Sequence, residues 1–431
     1  MAAGLGTRMR SAVPKHLHPL LGRRLVDWVI GAARDAGVDR LVVVTSPDAQ
    51  DSFPGVEVAV QERPLGTGDS VRAARTSLDG FAGDVLVLNG DVPGLTPELL
   101  TALLDTHRRE RAAATVLSFE PADARAYGRI VRDGNGHLER IVEAGDASDE
   151  VLARTEVNSG IYVFAAAKLW PTLDRLQPQN VQGELYITDT LGLLVGDGEP
   201  VAVHVADEPF EVEGINTRVE LAAAAAGLRD RINDAHMLAG VTIVDPATTW
   251  IEPDVQIESD VTIHPFVHLR GATRVASGAE IHPHTVAVDV EIGARAVVGP
   301  FCYLRPGTVL EAQSKAGTFV EMKNSRIGPD AKVPHLSYIG DAEIGERTNV
   351  GAGNITANYP HKPGLPKTRT RIGKDVRTGV QNAFVAPVEV GDGAWTAAGS
   401  VITKDVPADA LAVARTRQEN KEGYAARHRD D

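Results

Sequence analysis

Aliphatic residues recur every six positions through the second half of the chain, at Ile251, Ile257, Ile263, Leu269, Val275 and Ile281. The phase slips by one near Ala287 and resumes at Ile292, Val298, Leu304, Leu310, Ala316 and Met322. It slips again to Ile327, Val333 and Ile339, then to Ile344, Val350 and Thr356. After a Pro-rich interruption it returns at Ile372, Thr378, Phe384, Val390, Thr396 and Ile402. Such a period matches neither a helix nor a simple alternating strand. It predicts short strands separated by sharp turns, each aliphatic residue stacking on its counterpart one coil away. With three hexads, roughly 18 residues, per coil, the expected architecture is a left-handed parallel β-helix. A β-sandwich, with strands of varying length, would not hold one phase over so many repeats. Small residues or Val often follow four positions after the aliphatic one and are expected to allow the corners. The segment from Asn358 to Arg371, with its PHKPGLPK run, leaves the repeat and reads as a functional loop.

The first half shows a different pattern. Leu41–Val44 and Val85–Leu88 read as buried strands. Val26–Ala36 and Pro97–Arg109 read as amphipathic helices, the second with a Thr-Pro-Glu start. This βαβ order predicts a Rossmann-like α/β domain with a mostly parallel sheet, binding ligands at the carboxyl ends of its strands. A run from Val219 to Met237 reads as a connecting helix. The expected boundaries are 1–217 for the α/β domain, 218–238 for the helix and 239–431 for the β-helix.

Composition narrows the function. The chain has 431 residues, a formal net charge of −14 and one cysteine, Cys302. The acidic balance argues against nucleic acid as the main partner. A lone cysteine excludes an internal disulfide framework and a Cys-based zinc cage. No apolar run reaches the roughly 18 residues of a membrane span, and no signal peptide is visible. The expectation is a cytoplasmic protein without a membrane partner.

The run Ala2-Ala3-Gly4-Leu5-Gly6-Thr7-Arg8-Met9, followed by Pro14-Lys15, offers backbone N–H groups for phosphate and two fixed positive charges. This pattern resembles the sugar-1-phosphate nucleotidylyltransferases. More of it follows in order: Gln61 with Leu65-Gly66-Thr67-Gly68, Asn89-Gly90-Asp91, Tyr127-Gly128-Arg129-Ile130, Ile141-Val142-Glu143, Asn158-Ser159-Gly160 and Glu213-Gly214-Ile215-Asn216. Joined to a long hexapeptide repeat, the whole resembles the bacterial bifunctional N-acetylglucosamine-1-phosphate uridylyltransferase/glucosamine-1-phosphate N-acetyltransferase family, from Ala2 to about Tyr424. The resemblance implies that Arg8 and Lys15 are catalytic and that Asp91 and Asn216 hold Mg²⁺. It also implies that Ala2, Ala3, Gly4, Gln61, Gly66, Thr67, Gly128, Glu143, Asn158 and Asn216 bind UTP or the UDP-sugar product.

In the repeat, Leu304-Arg305-Pro306-Gly307, Val320-Glu321-Met322-Lys323-Asn324 and His335-Leu336-Ser337-Tyr338 stand out. Acetyl transfer to an amine needs a base, and neutral imidazole suits that near pH 7. The resemblance makes His335 the base. It assigns Arg305, Lys323, Tyr338, Asn349 and Lys367 to the amino-sugar phosphate. It assigns Ala352, Asn358, Tyr359, Val380, Ala398 and Arg415 to acetyl-CoA. It also implies a homotrimer through the β-helix, with acetyl-transfer sites between neighbouring prisms.

Four positions depart from the family pattern. Met1 stands where the family has the last residue of a central strand, so the two neighbouring strands are expected to show open edges. Gly145 replaces a Lys, removing a positive charge from the uridylyl site. Pro360 replaces an Asp, and the loop after it is longer. Val380 replaces a Ser. Two alternatives fit less of the pattern. One is another β-helix-bearing sugar nucleotidylyltransferase, which would lack the Arg305, Lys323, His335, Tyr338 set. The other is a trimeric scaffold that has lost an activity.

Overall fold

The computed structural model describes residues 1–431 except Leu5, Arg125, Ala126, His361, Pro363, Asp430 and Asp431. Leu5 of the glycine-rich run and His361 and Pro363 of the loop therefore lie outside the described residues. The chain divides into two compact units, 1–228 and 229–431.

In the first unit, strand β1 (Val42–Thr45) pairs in parallel with β2 (Glu57–Val60). Strands β3 (Asp84–Val87), β4 (Ala114–Phe119), β5 (Arg129–Arg132), β6 (Leu138–Val142), β7 (Val157–Ala165) and β8 (Val201–Val205) form a larger sheet. The expected mostly parallel sheet is in fact mixed. β8 runs parallel to β4, but β7 runs antiparallel to β3, β4 and β5. An almost wholly buried strand such as β7 carries no mark of its direction, so this could not be read from the sequence. Helix α1 (Leu25–Asp35) and helix α2 (Pro97–Arg109) bury their apolar faces. The start of α2 is fixed by Thr96, whose side chain accepts from the Leu99 N–H at 3.2 Å, with Pro97 in the first turn.

Between β1 and β3 lies a partly open cavity of about 290 Å³, lined by apolar side chains and by charged ones such as Asp39, Arg40 and Arg108. Val26 and Ile30 of α1, Val43 of β1, Leu86 of β3 and Trp170 are among its walls. At the carboxyl ends of these strands Met1 and Ala2 bridge the gap. The Met1 amine donates to the Leu88 carbonyl, Ala2 N–H to the Val44 carbonyl and Gly90 N–H to the Met1 carbonyl.

In the second unit every paired strand is parallel. Three sheets of short strands, of six, nine and eight, form the faces of a β-helix. The six strands of the first face run from Thr242–Ile243 to Lys332–His335, and bridges through Asn349 and Arg377 carry it on to Trp395–Thr396 and Leu411–Ala412; the second face runs from Trp250–Ile251 to Val401–Ile402, the third from Gln256–Ile257 to Val388–Val390. The hexad positions form one continuous core, with Ile263, Ile281, Val298, Leu304 and Met322 fully buried. Phase slips in the sequence are coils shortened by one residue: Ile263 stacks on Ile281, but Ile281 stacks on Val298. The corners differ from expectation. Small residues such as Ala279 and Ala296 line the inside, while Phe266, His284, Phe301 and Phe319 take positive φ of +54° to +62° at one outer edge. These rings stack coil on coil, with centroids 4.7–5.2 Å apart, which offsets the cost of left-handed backbone. The excursion from the repeat ends earlier than expected, because Thr370–Ile372 already pairs with Ala342–Ile344.

A helix, α3 (Arg218–Leu238), spans the junction of the two units. In the first unit, Ala224 and Leu228 pack with Leu20 and Leu25. In the second, Ile232 and Met237 pack on the β-helix core, and Asn233 donates to the Pro246 and Thr249 carbonyls. No described helix is long and apolar enough to cross a membrane.

Candidate active sites

The glycine-rich loop follows Ala2 and turns through a short helix at Thr7–Met9, anchored by buried Met9. Gly6 has φ +58°, and a Cβ there would lie 2.6 Å from the Lys15 Cβ. Glycine therefore lets Lys15 pass close beneath the loop. The Lys15 ammonium pairs with the Asp91 carboxylate and donates to Asn216 Oδ1 at 3.1 Å. Arg8 donates to the same Asn216 oxygen at 2.8 Å. Asn216 is carried to Asp91 by backbone, since Ile215 N–H donates to the Asp91 carbonyl at 2.9 Å. Arg8, Lys15, Asp91 and Asn216 thus meet at the end of β3, as the open-sheet rule requires. Ala3 and Gly4 lie on the loop just before them, and no atom lies within 4 Å of a Cβ built on Gly4.

A second group gathers beside it. A Cβ on Gly128 would meet Glu143 Oε2 at 3.2 Å. Asn158 N–H donates to the Gly128 carbonyl at 2.9 Å, and its side chain donates to Tyr162 Oη at 2.8 Å. Thr188 Oγ1 donates to Glu143 at 3.1 Å. Gln61 donates to the Gly66 carbonyl and to Asp69. Gly66 and Thr67 are held by the segment Leu185–Thr188: Leu185 N–H donates to the Leu65 carbonyl, Gly68 N–H to the Leu185 carbonyl and Ile187 N–H to Thr67 Oγ1. This segment was missed by sequence reasoning. Its only signal was Thr188-Asp189 opening a helix (Thr188–Gly196).

Burial is the main cause that holds the Glu143 carboxyl above its ordinary value of 4.5; the Thr188 hydroxyl opposes it, and Asp189 and Asp146 add to it. Gly145 places no cation there. A raised carboxyl costs stability only once ionised, so the cost is absent below about 4.5 and full above the folded value. Glu143→Gln should therefore melt higher than wild type at about pH 7, and the gap should close near pH 4. Equal melting at neutral pH would contradict the assigned burial.

On the second unit, Arg305, Lys323 and Tyr338 come from successive coils of the second face. Arg305 pairs with Glu321 at 2.7 Å. The Tyr338 ring lies over Gly340, the residue in register with Lys323; a Cβ on Gly340 would be 2.3 Å from its hydroxyl. His335 stands exposed at the corner between the first and second faces. Its carbonyl accepts from Ser337 Oγ at 2.7 Å and Gly353 N–H at 3.3 Å. The same ladder continues from Gln381 N–H to the Ala352 carbonyl and from Gly399 N–H to the Val380 carbonyl. His335, Ala352, Val380 and Ala398 therefore form one column along that edge. Arg415 reaches its end, with Cδ 3.8 Å from a Cβ built on Gly399. Asn358 is buried, its amide donating to Asp341, which also accepts from Asn324. Asp341 thus fixes two side chains at once. Asn349 sits on the first face, between Lys332 and Arg377. Lys367 lies in the loop, its ammonium 4.8 Å from the centre of the Tyr359 ring.

Residues 1–188 match the MobA-like NTP transferase domain model. The chain is 49% identical to the Bifunctional protein GlmU of Streptomyces coelicolor, covering all of this chain and 94% of that one. It is 47% identical to the protein of that name in Mycolicibacterium gilvum, over all of this chain and 91% of the relative, and 45% identical to that of Corynebacterium efficiens, over all of this chain and 93% of the relative. The chain belongs to the GlmU family. It is a bifunctional enzyme, a glucosamine-1-phosphate N-acetyltransferase and an N-acetylglucosamine-1-phosphate uridylyltransferase in one polypeptide. Membership also fits both motif sets, which occur together in this sequence.

Proposed function

We propose that each activity resides in the cluster its motifs form. In the first unit, the sugar phosphate oxygen attacks the α-phosphorus of UTP, the bond to the bridging oxygen breaks and pyrophosphate leaves. Arg8 and Lys15 offset the phosphate charge. The observation that carries this is the convergence of Arg8, Lys15, Asp91 and Asn216 from widely separated parts of the chain. Magnesium takes hard oxygen donors. The Asp91 carboxylate and Asn216 carbonyl oxygens already share one cationic partner, Lys15, so the donor set fits such an ion. When bound, Mg²⁺ would neutralise phosphate charge. Glu143, Asn158 and Gly128 would hold the sugar, with Gln61, Gly66 and Thr67 against the base and Ala2, Ala3 and Gly4 beside the phosphates.

In the second unit, His335 would take a proton from the amine of glucosamine 1-phosphate as nitrogen attacks the thioester carbonyl and the thiolate of coenzyme A leaves. Arg305, Lys323 and Tyr338 would hold the sugar phosphate, with Asn349 and Lys367 helping. The corner column of Ala352, Val380 and Ala398, with Asn358, Tyr359 and Arg415, would seat acetyl-CoA. These groups are split between two faces of one prism, which supports a homotrimer whose neighbouring prisms complete each site. A coupled assay with glucosamine 1-phosphate, acetyl-CoA and UTP tests the whole reading. Light scattering tests the trimer. Turnover of glucose 1-phosphate in preference to the N-acetylated sugar would overturn the assignment.

A further inference from the structure

We propose that His264, Glu280 and His282 form a binding site for a divalent first-row transition ion on the first face of the β-helix. Their ligand atoms all lie within 4.8 Å of one another, and no other group of three His, Cys, Asp or Glu ligands meets that condition among the described residues. The repeat creates the arrangement. Ile263 and Ile281 are in register one coil apart, so His264 and His282 project side by side from the same position. Backbone bonds from His264 N–H to the Ile281 carbonyl and from His282 N–H to the Val298 carbonyl fix that position. The two imidazoles stack with centroids 5.0 Å apart and planes 17° from parallel, close to the strand spacing. Glu280 lies two residues before His282 on the same strand face. Its Oε1 is 2.9 Å from His264 Nε2 and 3.8 Å from His282 Nε2.

Two imidazoles and one carboxylate converging on one point are a donor set for Zn²⁺, Ni²⁺, Cu²⁺ or Co²⁺, whereas Mg²⁺ and Ca²⁺ prefer oxygen alone. Metal–ligand bonds near 2.0–2.2 Å place such donors ~3–3.5 Å apart, which small side-chain rotations reach from the present geometry. The column continues with exposed Val244 on one side and Gly299 on the other, neither of which is a side-chain ligand. Open positions on the solvent side would be filled by water. The ion would tie two successive coils together, far along the repeat from His335, and would raise the stability of that end of the β-helix.

The test uses the whole protein, stripped of metal by chelator. Zn²⁺ is titrated by calorimetry, and Co²⁺ by its visible absorption, which reports nitrogen ligation. One equivalent per chain is expected, with Zn²⁺ raising the melting temperature of the β-helix transition. His264→Ala and His282→Ala should each weaken binding by at least about tenfold, and remove that rise, while both enzyme activities stay unchanged. Loss of a ligand should cost no less than loss of a supporting hydrogen bond. The proposal is overturned if the wild type takes up no stoichiometric ion, or if both variants bind with wild-type affinity and the same Co²⁺ spectrum.

Discussion

His335→Ala should lower acetyl transfer to glucosamine 1-phosphate by roughly 10²–10⁴-fold, the usual worth of a positioned base. The β-helix should survive the change. His335 is exposed, and the groups that fix its corner bind its carbonyl rather than its ring: Ser337 Oγ and Gly353 N–H both donate there. Alanine keeps that carbonyl. Uridylyl transfer from supplied N-acetylglucosamine 1-phosphate should be unaffected, since its residues belong to the other unit. Steady-state rates of both half-reactions, measured on one preparation, separate a lost base from a lost fold. Near wild-type acetylation by the variant would place the base elsewhere and leave His335 as a turn residue.

The core of the β-helix was legible because a hexad phase states both burial and stacking. Nearly every position on that phase, from Ile251 to Ile402, lies in the continuous core. Helices α2 and α3 were legible from their start signals and length. That Arg8, Lys15, Asp91 and Asn216 come together was legible from ordered motifs, because charged side chains and a tight glycine turn leave marks in the sequence. What escaped was carried by backbone. Leu185 holds the loop around Gly66 through its own N–H and carbonyl, which any residue could supply. Strand direction in β7 leaves no mark on an almost wholly buried run. The left-handed corners at Phe266, His284 and Phe319 defied the glycine rule, because ring stacking between coils acts beyond the local sequence. The juxtaposition of His264 with His282 becomes readable only once the coil length at that point is known.

Arg8→Ala should cut uridylyl transfer by about 10²-fold or more, because a preorganised charge beside a phosphate that gains negative charge is worth ~3 kcal/mol in the transition state. The effect should fall on turnover and not on folding. Arg8 is exposed, and its place on Asn216 Oδ1 can pass to Lys15, which already donates to that oxygen. Arg8→Lys should recover only part of the rate, since an ammonium keeps the charge and loses the planar fork. Asp91→Asn tests the other side of the cluster. It removes the carboxylate that pairs with Lys15, so the Mg²⁺ concentration giving half-maximal rate should rise. Acetyl transfer should be unchanged in all three variants. A fall in both activities together would mean a folding defect. Full uridylyl activity in Arg8→Ala, with an unaltered Mg²⁺ dependence in Asp91→Asn, would show that the four converging residues are a structural knot and that the phosphates bind somewhere else.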